Sequence, residues 1–245
     1  MNNDPASYAS LDDSIGSSLA SEIDDNANVF EIPAITPIPE PTPTPATSPA
    51  QAQIRVGDII QFGPYDWRVL DVQGNQALII TDRVITNRAY HHTNEAVTWE
   101  TREVRQWLNS EFFASFSPAN QARIAETYVV NNSNPWWIVA RGGNNTTDRI
   151  FLLSIEEAVE IFGDSGQLDN RPHARSLIND EFNQTRIAID VNGSASRWGL
   201  RSPGSTPSFA ALIGHVDYGS LNVRGSNVVR SDRAGVRPAL WLYLD

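Results

Sequence analysis

Trp198-Gly199-Leu200-Arg201-Ser202-Pro203-Gly204 and Gly235-Val236-Arg237-Pro238-Ala239-Leu240-Trp241 are two brackets that close on the stretch 205–234. Each combines residues that stiffen or fill a fold: proline fixes φ, tryptophan supplies apolar bulk, and glycine admits turns. The enclosed stretch is rich in Ser, Asn, Asp, Tyr and Arg, with apolar anchors at Leu212-Ile213, Val216, Leu221, Val223 and Val228-Val229. That composition is typical of adaptable contact surfaces. The brackets are therefore expected to govern stability, with Trp198 and Trp241 in the core beside Trp67, and the enclosed positions to govern recognition. The candidate ligand contacts are Phe209, His215, Asp217, Tyr218, Ser220, Asn222, Arg224, Ser226, Asn227 and Arg230, supported from outside the stretch by Trp137.

At the other end, residues 1–53 contain eight acids, eight of the fifteen prolines, no Arg and no Trp. Such a segment buries too little apolar surface to offset its chain entropy, so a disordered acidic tail is expected, followed by a single domain over 54–245. The Thr-Pro run from Ile35 to Pro49 reads as a tether of on the order of 45 Å at about 3.1 Å per residue. A rival reading is local: Leu11, Ile15, Leu19 and Ile23 recur on one helix face and suit a short docking helix. The tail carries most of the net charge of −11, because the remaining twenty-one acids face eighteen arginines. A nucleic-acid partner would need a concentrated basic face, and none is visible.

The chain contains neither Lys nor Cys. Those two zeros exclude a Walker phosphate loop, a Schiff base, a Ser-Lys dyad, a thiol nucleophile, a zinc ribbon and a disulfide framework. Residues 1–20 lack the basic and apolar regions of a signal peptide, and no window approaches the roughly 20 apolar residues of a membrane span. The expectation is a monomer that stays in the cytoplasm if the chain start is genuine.

Period-2 runs at Asp58–Phe62, Trp67–Val72 and Ala77–Thr81, the last two separated by Gln73-Gly74-Asn75, predict a β-hairpin. Thr98 as N-cap, with Glu100 and Glu103 in the first turns and Val104, Trp107 and Leu108 at helical spacing, predicts a helix. A second short helix is expected after Ser117 with Pro118 at its first position. Arg149–Leu153 reads as a buried strand running into a third helix, for which Ser154 and Glu157 have capping-box spacing and Gly163 stands at the C-cap. After Asn192-Gly193 short strands and loops are expected, with Pro238 at a strand entrance or edge.

Among chemistry-bearing residues, Glu156, Glu157 and Glu160 fall largely away from the apolar stripe of Ile155, Val159 and Phe162, as a solvated helix face would place them. His91 and His92, being adjacent, are expected on opposite sides of an extended chain, so no metal site is assigned to them. Trp67, Trp107, Phe151 and Trp241 sit in periodic apolar runs and read as core. Of Trp136 and Trp137, taken as neighbours in a strand, one ring is expected to face outward as a stacking platform. Arg201 and Arg237 read as framework residues bonded to carbonyls or carboxylates.

The wording of the two brackets, LRSPG and GVRPALW, resembles a family of bacterial domains of unknown function. That family is similar to the C-type lectin-like fold of formylglycine-generating enzymes and of the variable proteins diversified by retroelements. The resemblance covers roughly residues 54–245. It implies an α+β fold with small antiparallel sheets, two or three helices, a long irregular C-terminal region, and pairing of the first and last strands. Formylglycine chemistry depends on active-site cysteines that this chain lacks, and the Glu-Pro-Asn and Trp-Asn-Asp calcium motifs of sugar-binding lectins are absent from the body. The resemblance therefore implies a non-catalytic module, without a cofactor, that binds a protein or carbohydrate. The alternatives are a cysteine-free hydrolytic or oxidative enzyme of the same superfamily, which would need His173, His215 and Asp217 to converge, and a purely structural surface module. In the variable proteins, mutating the adenines of an Asn codon never yields Lys, Glu, Gln, Met or Trp, and none of these occurs from Ser205 to Ala234.

Overall fold

A two-residue turn at Gly74-Asn75, with Gly74 at φ +60°, closes the hairpin that organises the opening sheet. Its arms are β2 (Tyr65–Gln73) and β3 (Gln76–Thr81), and β1 (Ile59–Phe62) adds on the outer side of β2. The hairpin forms because Trp67 and Val69 on one strand and Ala77, Ile79 and Ile80 on the other are almost wholly buried, so any shift of register by one residue would expose them. The computed structural model describes residues 53–172, 175–214, 218–227 and 235–244. The chain divides into two units, Met1–Ala50 and Gln51–Asp245. The first unit, with the acidic tail, the tether and the docking helix expected there, lies outside the described residues.

The later strands are β4 (Thr86–Asn87), β5 (Thr127–Val129), β6 (Thr146–Asp148), β7 (Ala188–Ile189), β8 (Ala195–Ser196), β9 (Trp198–Pro203), β10 (Phe209–Ile213), β11 (Leu221–Asn227), β12 (Gly235–Val236) and β13 (Ala239–Tyr243). The helices are α1 (Glu103–Trp107), α2 (Pro118–Arg123), α3 (Ile155–Phe162) and α4 (Asn183–Arg186). The architecture is α+β, with small antiparallel sheets and four α-helices among the described residues. The opening sheet has the order β1-β2-β3-β13, and a second sheet has the order β11-β10-β9.

Three expectations change. The last strand does return to the opening sheet, but it pairs with β3, leaving the first strand at the opposite edge. The C-terminal region is not mainly irregular among the described residues, because β9, β10 and β11 form a three-stranded sheet. Among the described residues the α-helix count is four, the fourth being the single turn of α4.

The caps explain where the helices begin. Ser117 Oγ accepts from the Asn120 amide at 3.3 Å, and Ser154 Oγ accepts from the Glu157 amide at 3.1 Å while Glu157 returns the bond to the Ser154 amide at 2.9 Å. Thr98 instead opens a 3-10 turn at Trp99–Thr101, and α1 begins only after Arg102, whose extended backbone breaks the run. Beyond α1 the chain widens into a π-helical segment, Leu108–Phe112.

Arg149–Leu153 is buried as expected but is not a regular strand. It makes one antiparallel bridge, Phe151 with Ala239, and side chains satisfy much of its remaining backbone. Asn109 Oδ1 accepts from the amides of Arg149 and Ile150 at 2.8 and 3.2 Å, and Asn109 Nδ2 donates to the Ile150 carbonyl at 2.9 Å. Arg201 Nη1 donates to the Leu152 carbonyl at 2.8 Å.

The core tryptophans are Trp67, Trp99 and Trp198, each at most 1% exposed. Trp107 and Trp241, expected in the core, are only half-buried. On β13 it is Leu240 and Leu242 that are buried, so the pleat turns Trp241 to the other face. Trp107 instead carries the Arg88 guanidinium 4.9 Å from its ring centre. Arg201 and Arg237 are buried framework residues. Arg201 pairs with both carboxylate oxygens of Glu157, and Arg237 Nε donates to the Thr81 carbonyl at 2.8 Å. Burial lowers the Arg237 guanidinium to about 10.

Candidate functional site

Strand β11 changes character halfway along: Leu221, Asn222 and Val223 are buried, Arg224 is exposed, and Gly225, Ser226 and Asn227 are half-buried. The change coincides with a bulge. The register between β10 and β11 slips between Ala210 and Leu212, and Gly225 takes φ +79°. A β-carbon at Gly225 would lie 2.3 Å from the Ala210 carbonyl oxygen, so glycine is required there. Asn222 Oδ1 accepts from the Gly225 amide at 3.0 Å and fixes the bulge.

Alongside β11 runs the segment Arg175–Asn179. Ile178 and Leu221 exchange backbone hydrogen bonds at 2.9 Å, and the Arg224 amide donates to the Ser176 carbonyl at 3.0 Å. Between this segment and the bulged strand lies a cavity of about 720 Å³. Its lining consists of Arg175, Ser176, Leu177 and Asn179 on one side, and Phe209, Asn222, Arg224, Gly225, Ser226 and Asn227 on the other. The guanidinium groups of Arg175 and Arg224 form no ion pair among the described residues.

A tryptophan loop stands beside the Arg175 wall. Asn134 is fully buried and bonds in four directions: Nδ2 donates to the Pro203 and Val223 carbonyls at 2.9 and 2.8 Å, and Oδ1 accepts from the Trp136 and Trp137 amides at 2.9 and 3.1 Å. Trp136 and Trp137 therefore lie in a tight loop and not in a strand. Both rings are half-buried, and the Arg171 guanidinium sits 5.0 and 4.3 Å from their centres. Arg171 also donates to the Arg175 carbonyl at 3.1 and 2.9 Å, which ties this stack to the cavity wall.

Of the expected contact residues, Phe209, Asn222, Arg224, Ser226 and Asn227 come together around the cavity. Trp137 stands outside its lining, and Tyr218 is 45% exposed away from it. Ser220 is completely buried, and Asn222 lines the cavity as a buried residue rather than as a free surface side chain. His215, Asp217 and Arg230 lie outside the described residues, as does His173. The wall Arg175–Asn179 was not anticipated, because the apolar pair Leu177-Ile178 among polar neighbours is too short to mark an element.

The adjacent histidines also differ from expectation. Residues 90–95 form a bend, so His91 and His92 are on one side with ring centres 4.8 Å apart. His91 Nε2 is 2.8 Å from Glu95 Oε1, and His92 Nδ1 contacts Glu103 Oε1 at the start of α1. The Thr93 hydroxyl and the His91 ring hold the exposed Glu95 carboxyl below the usual carboxylate range. The same loop reaches the cavity rim, where Asn227 Nδ2 donates to Asn94 Oδ1 at 2.9 Å.

No helix among the described residues is long and apolar enough to cross a membrane. No curated protein and no solved structure shows significant similarity to the chain. The sequence profile of the family described as a domain of unknown function, DUF6273, matches residues 74–244, from the β2–β3 turn through β13, and so takes in β3 and β13 of the opening sheet, the whole β11-β10-β9 sheet and every residue that lines the cavity. With most of its length matched, the chain belongs to the DUF6273 family.

Proposed function

We propose that the body is a non-catalytic binding module whose cavity between Arg175–Asn179 and the bulged β11 takes an acidic carbohydrate. The observation that carries this reading is the pair of arginines, Arg175 and Arg224, lining one cavity without ion-pair partners among the described residues, in a chain of net charge −11. Guanidinium groups suit bidentate capture of a carboxylate. The amides of Asn179 and Asn227 and the hydroxyls of Ser176 and Ser226 suit sugar hydroxyls, and the half-buried Phe209 ring suits an apolar sugar face. A cavity of about 720 Å³ lies within the range of small-ligand sites.

The finer fold reading, a C-type lectin-like arrangement, is supported by the return of β13 to the opening sheet and by the separate sheet carrying the cavity. Diversification by a retroelement is part of the same proposal, since six cavity residues fall within 205–234. A reverse transcriptase gene with a near-copy of the 3′ coding end beside this gene is the expected genomic context.

The test is calorimetric titration with oligosaccharides of glucuronate and galacturonate, against their neutral counterparts. Acidic forms should bind, and Arg224→Ala and Arg175→Ala should each weaken binding at least tenfold while stability moves by no more than about 0.5 kcal/mol. Equal binding of neutral and acidic sugars would remove the arginines from the argument. Absence of binding to any of them would overturn the carbohydrate reading.

A further inference from the structure

We infer that His91, His92 and Glu103 form a zinc site, with Glu95 as the outer carboxylate that orients His91. This inference is independent of the carbohydrate reading. Each of the three residues offers one ligand atom, and these atoms lie within 4.8 Å of one another. Tetrahedral zinc at nitrogen and oxygen distances of about 2.0–2.1 Å brings neighbouring ligand atoms to about 3.4 Å. The gap closes by side-chain rotation, because the His92 and Glu103 side chains are 67% and 39% exposed.

His91 is the fixed member, and its environment points to a ligand. Its side chain is only 10% exposed, and Nε2 is engaged by Glu95 at 2.8 Å. Glu95 is itself held by the Thr93 hydroxyl at 2.7 Å. The second ring nitrogen, Nδ1, is buried without a hydrogen-bond partner. Buried polar atoms are rarely left without a partner, so this orphaned imidazole nitrogen, on a residue clustered with two further donor side chains, calls for one. A carboxylate on the far nitrogen of a histidine is the usual outer support of a zinc ligand: it sets the tautomer and raises the basicity of the nitrogen facing the metal. Zinc gives Nδ1 the partner it lacks.

The donor set selects the class of metal. Two imidazoles and one carboxylate suit zinc and leave a fourth position for water, whereas calcium and magnesium favour oxygen donors alone. The ligands join two parts of the chain, the bend at residues 90–95 and the first residue of α1, so zinc also clamps the loop that touches Asn227 at the cavity rim.

The experiment is titration of the full chain, stripped with chelator, with zinc chloride. One equivalent should bind with a dissociation constant of about 10 μM or tighter, and melting should rise by about 5–10 °C at a hundredfold excess over that constant. His92→Ala and Glu103→Gln, both at exposed positions, should weaken binding at least tenfold while leaving the metal-free melting temperature unchanged. Glu95→Gln should weaken it by about 10–100-fold. A variant lacking the other two histidines, His173→Ala with His215→Ala, should bind like the parent. The inference is overturned by binding weaker than about 100 μM, by binding that survives His92→Ala, or by binding that disappears with His173 and His215.

Discussion

Replacing Asn134 by alanine should cost about 3–4 kcal/mol. The side chain is completely buried and makes four hydrogen bonds, two to the carbonyls of Pro203 on β9 and Val223 on β11 and two from the amides of Trp136 and Trp137. A net of about 1 kcal/mol per bond gives 4, and the Trp137 amide keeps a second acceptor in the Asn134 carbonyl at 3.2 Å, which lowers the sum towards 3. Against a total of roughly 5–15 kcal/mol for a domain, the variant should remain folded but melt much earlier. Asn134→Asp separates geometry from chemistry. It keeps the shape but turns a carboxylate oxygen towards two carbonyl oxygens, so it should be worse than alanine. Urea denaturation followed by far-ultraviolet circular dichroism measures both, and tryptophan fluorescence reports the release of Trp136 and Trp137. An Asn134→Ala variant within 1 kcal/mol of the parent, or an Asn134→Asp variant no worse than it, would refute this reasoning.

Two further outcomes follow from the core and the bulge. Burial raises the Tyr90 hydroxyl above its ordinary value of 10.0, only partly opposed by the Arg102 cation 5.2 Å from its ring. The folded state keeps a proton that the unfolded chain releases above about pH 10, so this contribution is complete below that pH and is lost as pH rises further, by up to about 1.4 kcal/mol per pH unit. Urea midpoints between pH 9 and pH 11 should therefore fall more steeply for the parent than for Tyr90→Phe, and parallel profiles would count against it. Gly225→Ala should destabilise by at least about 1–2 kcal/mol from its positive φ alone, with the approach to the Ala210 carbonyl adding to that, and should also abolish binding in the cavity. Unchanged melting of Gly225→Ala would show that the bulge is not held as described.

The hairpin and α3 were legible because their signals are local. Alternation around Gly74-Asn75, and the reciprocal bonds between Ser154 and Glu157, depend only on residues a few positions apart. Arg149–Leu153 misled because its apolar run is satisfied by Asn109 and Arg201, which lie far along the chain. Trp241 misled in another way: its apolar run promised burial throughout, but a strand alternates, and Leu240 and Leu242 took the inner face. The wall Arg175–Asn179 was invisible for the same reason as Arg149–Leu153, since its place is set by the long-range bridge between Ile178 and Leu221. The two histidines were misplaced because opposite sides follow only from an extended backbone, and the chain bends there.

On the proposed binding reading, burial draws the line between scaffold and recognition surface more finely than the brackets do. The line falls inside β11, between Val223 and Arg224. Up to Val223 the strand belongs to the core: Leu221 and Val223 are fully buried, the Asn134 amide holds the Val223 carbonyl, and Asn222 spends its side chain on the Gly225 amide. From Arg224 onward the bulge lifts the strand out of that packing, and Arg224, Ser226 and Asn227 face the cavity. Polar composition alone marks both halves alike, because a buried asparagine and an exposed one look the same in a sequence. What distinguishes them is whether a backbone group stands opposite to complete the bond, and here the amide of one glycine at positive φ donates to Asn222 Oδ1. On the proposed binding reading, exchange of contact residues is expected only at positions where no such partner exists. Among the described residues Arg224 and Ser226 meet that condition, and Asn222 does not.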